Sequence, residues 1–168
     1  VAQVTGGMAV VCSRQLNAIT AIKKRLTQGQ FDNPVLHLDI RGTQTSAVLL
    51  TTDDIVQVAR IGVGMQDMLK QLMADLKLMY IGSAMRLFHS STYDMSDNAP
   101  GMASSVVKPL AGLLDAAGVP RPCYLFVSGL PCARDAVLTK ALADGLGLQP
   151  LSPFVDIEQG GSALPDGF

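Results

Sequence analysis

The stretch VLHLDIRGTQTSAVLLTTDDIVQVARI, residues 35–61, decides the fold. It contains three apolar, β-branched runs at about 35–40, 45–51 and 54–61, separated by Arg41-Gly42-Thr43-Gln44 and Thr51-Thr52-Asp53-Asp54. Connections so short and so rich in turn-forming residues can only fold the chain back on itself, so the three strands are expected to form an antiparallel meander.

Downstream, Gly62-Val63-Gly64 breaks the alternation, and Met65, Met68, Leu69, Leu72, Met73, Leu76 and Met79 recur on one face of a predicted helix of about four turns, a face read as core in preference to an adaptable methionine groove for a partner. Residues 82–91 read as a further helical piece and 92–101 as a surface loop. Met102, Val106, Leu110, Leu113 and Ala117 repeat at helical spacing, with Pro109 either kinking that helix or marking its first turn. Residues 123–127 form a compact strand, and 128–131 turn into a helix that Gly145 and Gly147 stop. Upstream, residues 8–12 read as a strand, followed by a helix that Ser13 caps and that carries Leu16, Ile19, Ile22 and Leu26 inward. The order β-α-β-β-β-α-(α)-α-β-α requires the late strand to return to the meander's sheet, which excludes an ordinary doubly wound arrangement. Residues 1–150 are read as one lobe and 151–168 as an irregular tail.

Composition fits one folded lobe. The 168 residues are 48% hydrophobic, enough for a sizeable core, and only 16% charged, against roughly 25% in average soluble domains. Apolar surface reserved for a neighbour follows from that, and self-association is permitted. Thirteen Lys+Arg against fourteen Asp+Glu, with no basic block, argues against nucleic acid. No run approaches the ~18 apolar residues of a spanning helix, and the first residues lack a signal-peptide pattern, so direct membrane insertion is not expected. Cys12, Cys123 and Cys132 are odd in number and lack zinc-ligand spacing, which favours a reducing, cytoplasmic setting. The sequence begins at Val1 and is read as part of something larger.

Two segments are candidates for chemistry. The turn after residues 35–40, with Asp39, Gly42, Thr43 and Thr45, can present backbone N–H groups and hydroxyls to a phosphate, with Asp39 holding Mg²⁺ through water. The bland reading is a hairpin turn whose Asp and Thr satisfy local backbone groups. Ser128-Gly129-Leu130-Pro131 runs from a strand into a helix start, where anions bind in α/β proteins, but a single glycine followed by Leu and Pro gives little room. His37 and His89 have no carboxylate or cysteine at ligand or relay spacing and are read as structural. Ser128 lacks the G-x-S-x-G elbow and Cys132 has no assigned base, so no catalytic residue is nominated.

Taken together, LDIRGTQTSAVLL (38–50), VARIGVG (58–64) and YLFVSGLPCARDAVLTKALADGLGLQP (124–150) resemble the actin-like ATPase family, with its ribonuclease H-like core, as used in type IV pilus assembly by PilM-type proteins and in the cytoplasmic part of the type II secretion protein GspL. The blocks look like the family's second phosphate loop, the following helix start, and the adenosine-side strand, turn and helix. The implied fold is α/β with an α+β-like order: a mixed sheet built on a three-strand meander, with helices packed on it. The resemblance implies that Asp39, Gly42, Thr43 and Thr45 stand where phosphates and Mg²⁺ are handled, and Ser128 and Gly129 where adenosine packs. Two departures oppose this. Asp39-Ile40-Arg41 replaces D-I-G, putting a long side chain where glycine admits a phosphate, although the guanidinium of Arg41 can itself pair with one. A lone Gly129 replaces consecutive glycines.

The leading expectation is therefore a nucleotide-degenerate, bacterial actin-like scaffold. It would bind the cytoplasmic segment of an inner-membrane pilus or secretion platform protein, at the inner face of that membrane, with no cofactor. The first alternative is a lobe that binds Mg·ATP in a two-lobe cleft of a larger parent. The second is an unrelated α+β interaction domain.

Overall fold

The computed structural model describes residues 4–5, 8–9, 14–29, 33–131 and 134–151. Its centre is the meander: β3 (Val35–Ile40), β4 (Thr45–Leu50) and β5 (Ile55–Ile61) pair antiparallel in sequence order. Every residue of β3 and β4 is buried, because both faces of the sheet are covered. β6 (Tyr124–Ser128) returns to lie parallel to β3 on the side away from β4. The sheet order is β5-β4-β3-β6-β7, where β7 is Gln149–Pro150, parallel to β6.

Alternation assigns side chains to the two faces. Leu36, Leu38 and Ile40, with Leu125 and Val127, enter a core against helices α2 (Met65–Asp75), α4 (Ala99–Ala116) and α5 (Asp135–Leu146). Val35, Val48, Leu50 and Phe126 face the other way, onto Ile22 and Leu26 of α1 (Arg14–Thr27). Lys23 ties that helix to the β4–β5 turn, its Nζ donating to the carbonyls of Thr51 and Thr52 at 2.7 and 2.6 Å.

Several boundaries differ from expectation for identifiable reasons. The helix expected to reach Met79 ends at Asp75: Lys77 takes a left-handed φ of 52°, Leu78 N–H turns back to the Met73 carbonyl at 2.9 Å, and Met79 is left outside. The expected loop at 92–101 is shorter, because Pro100 stands in the first turn of α4, where its missing N–H has no helical partner to lose. Pro109 lies inside α4, and Leu113, expected inward, is exposed. Gly145 lies within α5, which Gly147 alone terminates. Gln149 and Pro150, which no element was expected to include, extend the sheet at an edge, where proline is tolerated. The expected strand at 8–12 is, in its described part, β2 (Met8–Ala9), which pairs with β1 (Val4–Thr5) outside the main sheet. Residues 10–13 and 152–168 lie outside the described residues. The piece expected at 82–91 is α3 (Ile81–His89).

Candidate functional site

β3 and β6 end side by side, and their parallel register sets Asp39 opposite Ser128. Residues two apart on a strand share a face, so His37, Asp39 and Ser128 project to the side that also carries Phe126. Ser128 Oγ donates to Asp39 Oδ1 at 3.2 Å and lies 2.9 Å from His37 Nε2. Because the hydroxyl proton is directed to the carboxylate, its oxygen is left to accept from His37 Nε2–H. That fixes the tautomer and leaves Nδ1 a bare acceptor, buried without a partner among the described residues. His37 is wholly buried against the Phe126 ring, with centroids 5.3 Å apart. Burial pushes its pKa down from 6.5 to about 4, outweighing the opposing pull of Asp39.

Arg41, half exposed at the rim, donates from Nε to the other Asp39 oxygen, Oδ2, at 2.8 Å. The result is a polar chain, His37–Ser128–Asp39–Arg41. The turn that carries Arg41 is closed by its N–H on the Gln44 carbonyl at 2.8 Å. The Arg41 and Gly42 carbonyls accept from the N–H groups of Met65 and Gln66, both at 2.8 Å, which are the first donors of α2. A helix N-terminus is a ready anion site, but here two of its donors are held by the protein's own turn. Asp67 completes the closure, its carboxylate accepting the Gly64 N–H at 3.1 Å. The Lys70 ammonium and that N–H hold the Asp67 carboxyl below its ordinary pKa.

Two glycines make this closure possible. A Cβ on Gly64 would lie 2.4 Å from the Arg41 carbonyl oxygen. Gly129, at φ +94°, would place one 2.0 Å from the Ile40 carbonyl oxygen. Both positions therefore admit only glycine, Gly129 because it packs on the end of β3 and Gly64 because it packs on the turn that follows β3. Gly42, at the exposed tip, would place a Cβ in open space.

The nominated residues thus divide. Asp39, Arg41 and Ser128 come together in one hydrogen-bonded chain, and Gly129 packs beside it. Gly42 and Thr43 are exposed on the turn. Thr45 is turned away and buried, its hydroxyl donating to the Val63 carbonyl at 2.8 Å. Both Asp39 oxygens are engaged, one by a cation, the Ile40 carbonyl stands where a Cβ on Gly129 would lie, and the first N–H groups of α2 are taken by the turn. No three His, Cys, Asp or Glu side chains among the described residues are grouped to hold a metal ion.

Sequence reasoning missed two participants. His37 does reach a carboxylate, through a serine 91 residues away, and the signal was its two-residue spacing from Asp39. Gly64 was seen only as a pattern break. His89 is exposed, edge-on to Phe88, and Cys12 and Cys132 lie outside the described residues. No helix among the described residues is long and apolar enough to cross a membrane.

No protein-family model matches the sequence, and no curated protein does. Solved structures do match. The PilM–PilN type IV pilus biogenesis complex contains a chain 22% identical to this one, aligned over 93% of this chain and 48% of that one with a TM-score of 0.61. The ethanolamine utilization protein EutJ from Carboxydothermus hydrogenoformans is 11% identical over 76% of this chain and 47% of its own, with a TM-score of 0.55. Ta0583, an archaeal actin homologue, is 13% identical over 83% and 50%, with a TM-score of 0.56. The chain spans about half the length of the solved structures it matches. An unrelated α+β fold is set aside, and the mixed sheet with its meander and packed helices is the actin-like ATPase fold.

Proposed function

We propose that this chain is a nucleotide-independent scaffold that binds the cytoplasmic segment of a membrane partner in a pilus or secretion assembly, at the inner face of the membrane. One observation carries the reading: the place where an actin-like fold would present phosphate donors is closed by the chain itself, Arg41 on Asp39 and the α2 N–H groups on the Arg41 and Gly42 carbonyls. The likeness to a chain solved in a PilM–PilN complex supports the choice of partner class. A second reading, Mg·ATP held between this lobe and another, is favoured by the half-length match.

Thermal melting of the longest expressible parent, with and without millimolar Mg·ATP, separates the two. The scaffold reading expects no shift in wild type, whereas a shift of several degrees that Asp39→Ala abolishes would establish the nucleotide cleft. Calorimetry with cytoplasmic segments of candidate platform proteins then tests the partner, and no heat from any of them would sink the scaffold reading.

A further inference from the structure

We propose that the outward face of α3, with the connector that precedes it, is a docking surface for an apolar segment of a partner protein flanked by carboxylates. The premature end of α2 creates it. Past the left-handed Lys77, Met79 and Tyr80 are 84% and 70% exposed, and Ile81 and Met85, one turn apart on α3, are 43% and 48% exposed. Four of the seven exposed large apolar side chains among the described residues therefore fall within positions 79–85. Ordinary solvent faces of short helices are charged; this one presents Met, Tyr and Ile beside Gly82, where a Cβ would meet nothing.

The helix is anchored from behind. On the inner side of α3, Ala84 and Phe88 are fully buried. Its last carbonyls are gathered by Arg134, a buried guanidinium from the start of α5 that donates to Leu87 and Phe88 and, beyond the helix, to Ser90 and Tyr93. An anchored helix backbone presents these side chains at fixed positions, and methionines adapt to the shape of what they meet.

Charge selects the occupant. Between Asp67 and Asp94 the only carboxylate is Asp75. It accepts from Gln71 Nε2 at 2.7 Å and lies toward Gly101 of α4. The rim of the patch carries exposed Lys77 and Arg86. Apolar centre and cationic rim complement an apolar segment with Asp or Glu on its flanks. A second copy would set like-charged rims against each other. A membrane surface would call for clusters of roughly four to eight cations, against two here.

The inference rests on the scaffold reading and gives it a location. Selection of a displayed random-peptide library on the purified chain, followed by fluorescence polarisation of the synthesised winners, tests it. Winners should carry apolar anchors with acidic flanks, and Met85→Asp and Tyr80→Asp, both at exposed positions, should each weaken them about tenfold or more while melting as wild type. Winners that bind both variants unchanged would overturn the α3 assignment and leave the scaffold reading standing. Failure of the library and of the platform segments alike would remove both. Sedimentation with phosphatidylserine vesicles, or self-association, that disappears in Met85→Asp would overturn the choice of occupant.

Discussion

The carboxyl ends of β3 and β6 and the outward face of α3 are opposites. At the strand ends, polar groups of the kind that serve chemistry are buried and bonded to one another: His37 to Ser128, Ser128 to Asp39, Asp39 to Arg41, and the α2 N–H groups to the turn. On α3, apolar groups of the kind that fill cores face solvent. A region whose donors and acceptors satisfy each other has little left to offer a ligand, and an apolar face left open has burial still to gain. On the proposal made above, interaction belongs on α3, away from the position where the fold's nucleotide chemistry would be sought.

The closure fails most severely at its tightest contact. Gly129→Ala forces a Cβ into the Ile40 carbonyl at a left-handed φ, and about 4 kcal/mol of stability should be lost. Denaturant midpoints measure this, and an unchanged midpoint would show that the β6–α5 turn does not press on β3. Arg134→Leu should cost slightly less, about 3 kcal/mol, because four carbonyls around α3 and the following loop lose a charged donor at once. Its effect should extend to faster amide exchange in α3, which would sharpen the case that the open face is a held one.

How far this contrast could be read in the sequence depends on range. The meander was legible because short turns and period-two burial are local properties of residues 35–61. The end of α2 was not: Leu76 and Met79 continue the helical period, and nothing in composition marks Lys77 as the residue that reverses the chain. Met79 was therefore expected in the core and stands in solvent. The strand-end cluster needed the parallel pairing of β3 with β6, which joins His37 to Ser128 across 91 residues. Glycines look alike in a sequence. A Cβ on Gly42, nominated as a phosphate contact, would stand in open space, while one on Gly64, not nominated, would meet three backbone atoms.

The buried histidine gives the closed region a pH signature. His37 is neutral in the fold with its pKa lowered from 6.5 to about 4, so the unfolded chain binds the proton more readily. The contribution of neutral His37 is complete above pH 6.5 and is lost as pH falls from 6.5 through 4, up to about 3 kcal/mol over that window. His37→Gln, which can still donate to Ser128 but does not titrate there, should flatten this part of a stability-against-pH curve. A wild-type curve already flat from pH 6.5 to 4 would mean the imidazole is not sealed in.

Opening the clasp should change stability less. The Arg41 side chain is half exposed, so its pair with Asp39 is screened, and Arg41→Gly should cost no more than about 1 kcal/mol. The informative readout is nucleotide. If Arg41 is what holds the site shut, this variant of the longest parent should gain a Mg·ATP-dependent melting shift that wild type lacks. If wild type and variant both stay unmoved, the α2 cap on the Arg41 and Gly42 carbonyls is closure enough.

The smallest effect belongs to the open face, and its smallness is the point. A residue that helps the fold loses stability when made polar, whereas one that protrudes does not. Met85 is half exposed in mid-helix, one position from the fully buried Ala84, so Met85→Gln exchanges one good helix former for another and removes apolar area that already faces water. Its melting midpoint should match wild type, a change within about 0.5 kcal/mol. A loss of 2 kcal/mol or more, on the order of a buried methionine, would mean that Met85 packs against its own chain in solution. The comparison would then collapse, since both regions would be closed and α3 would have no face to offer.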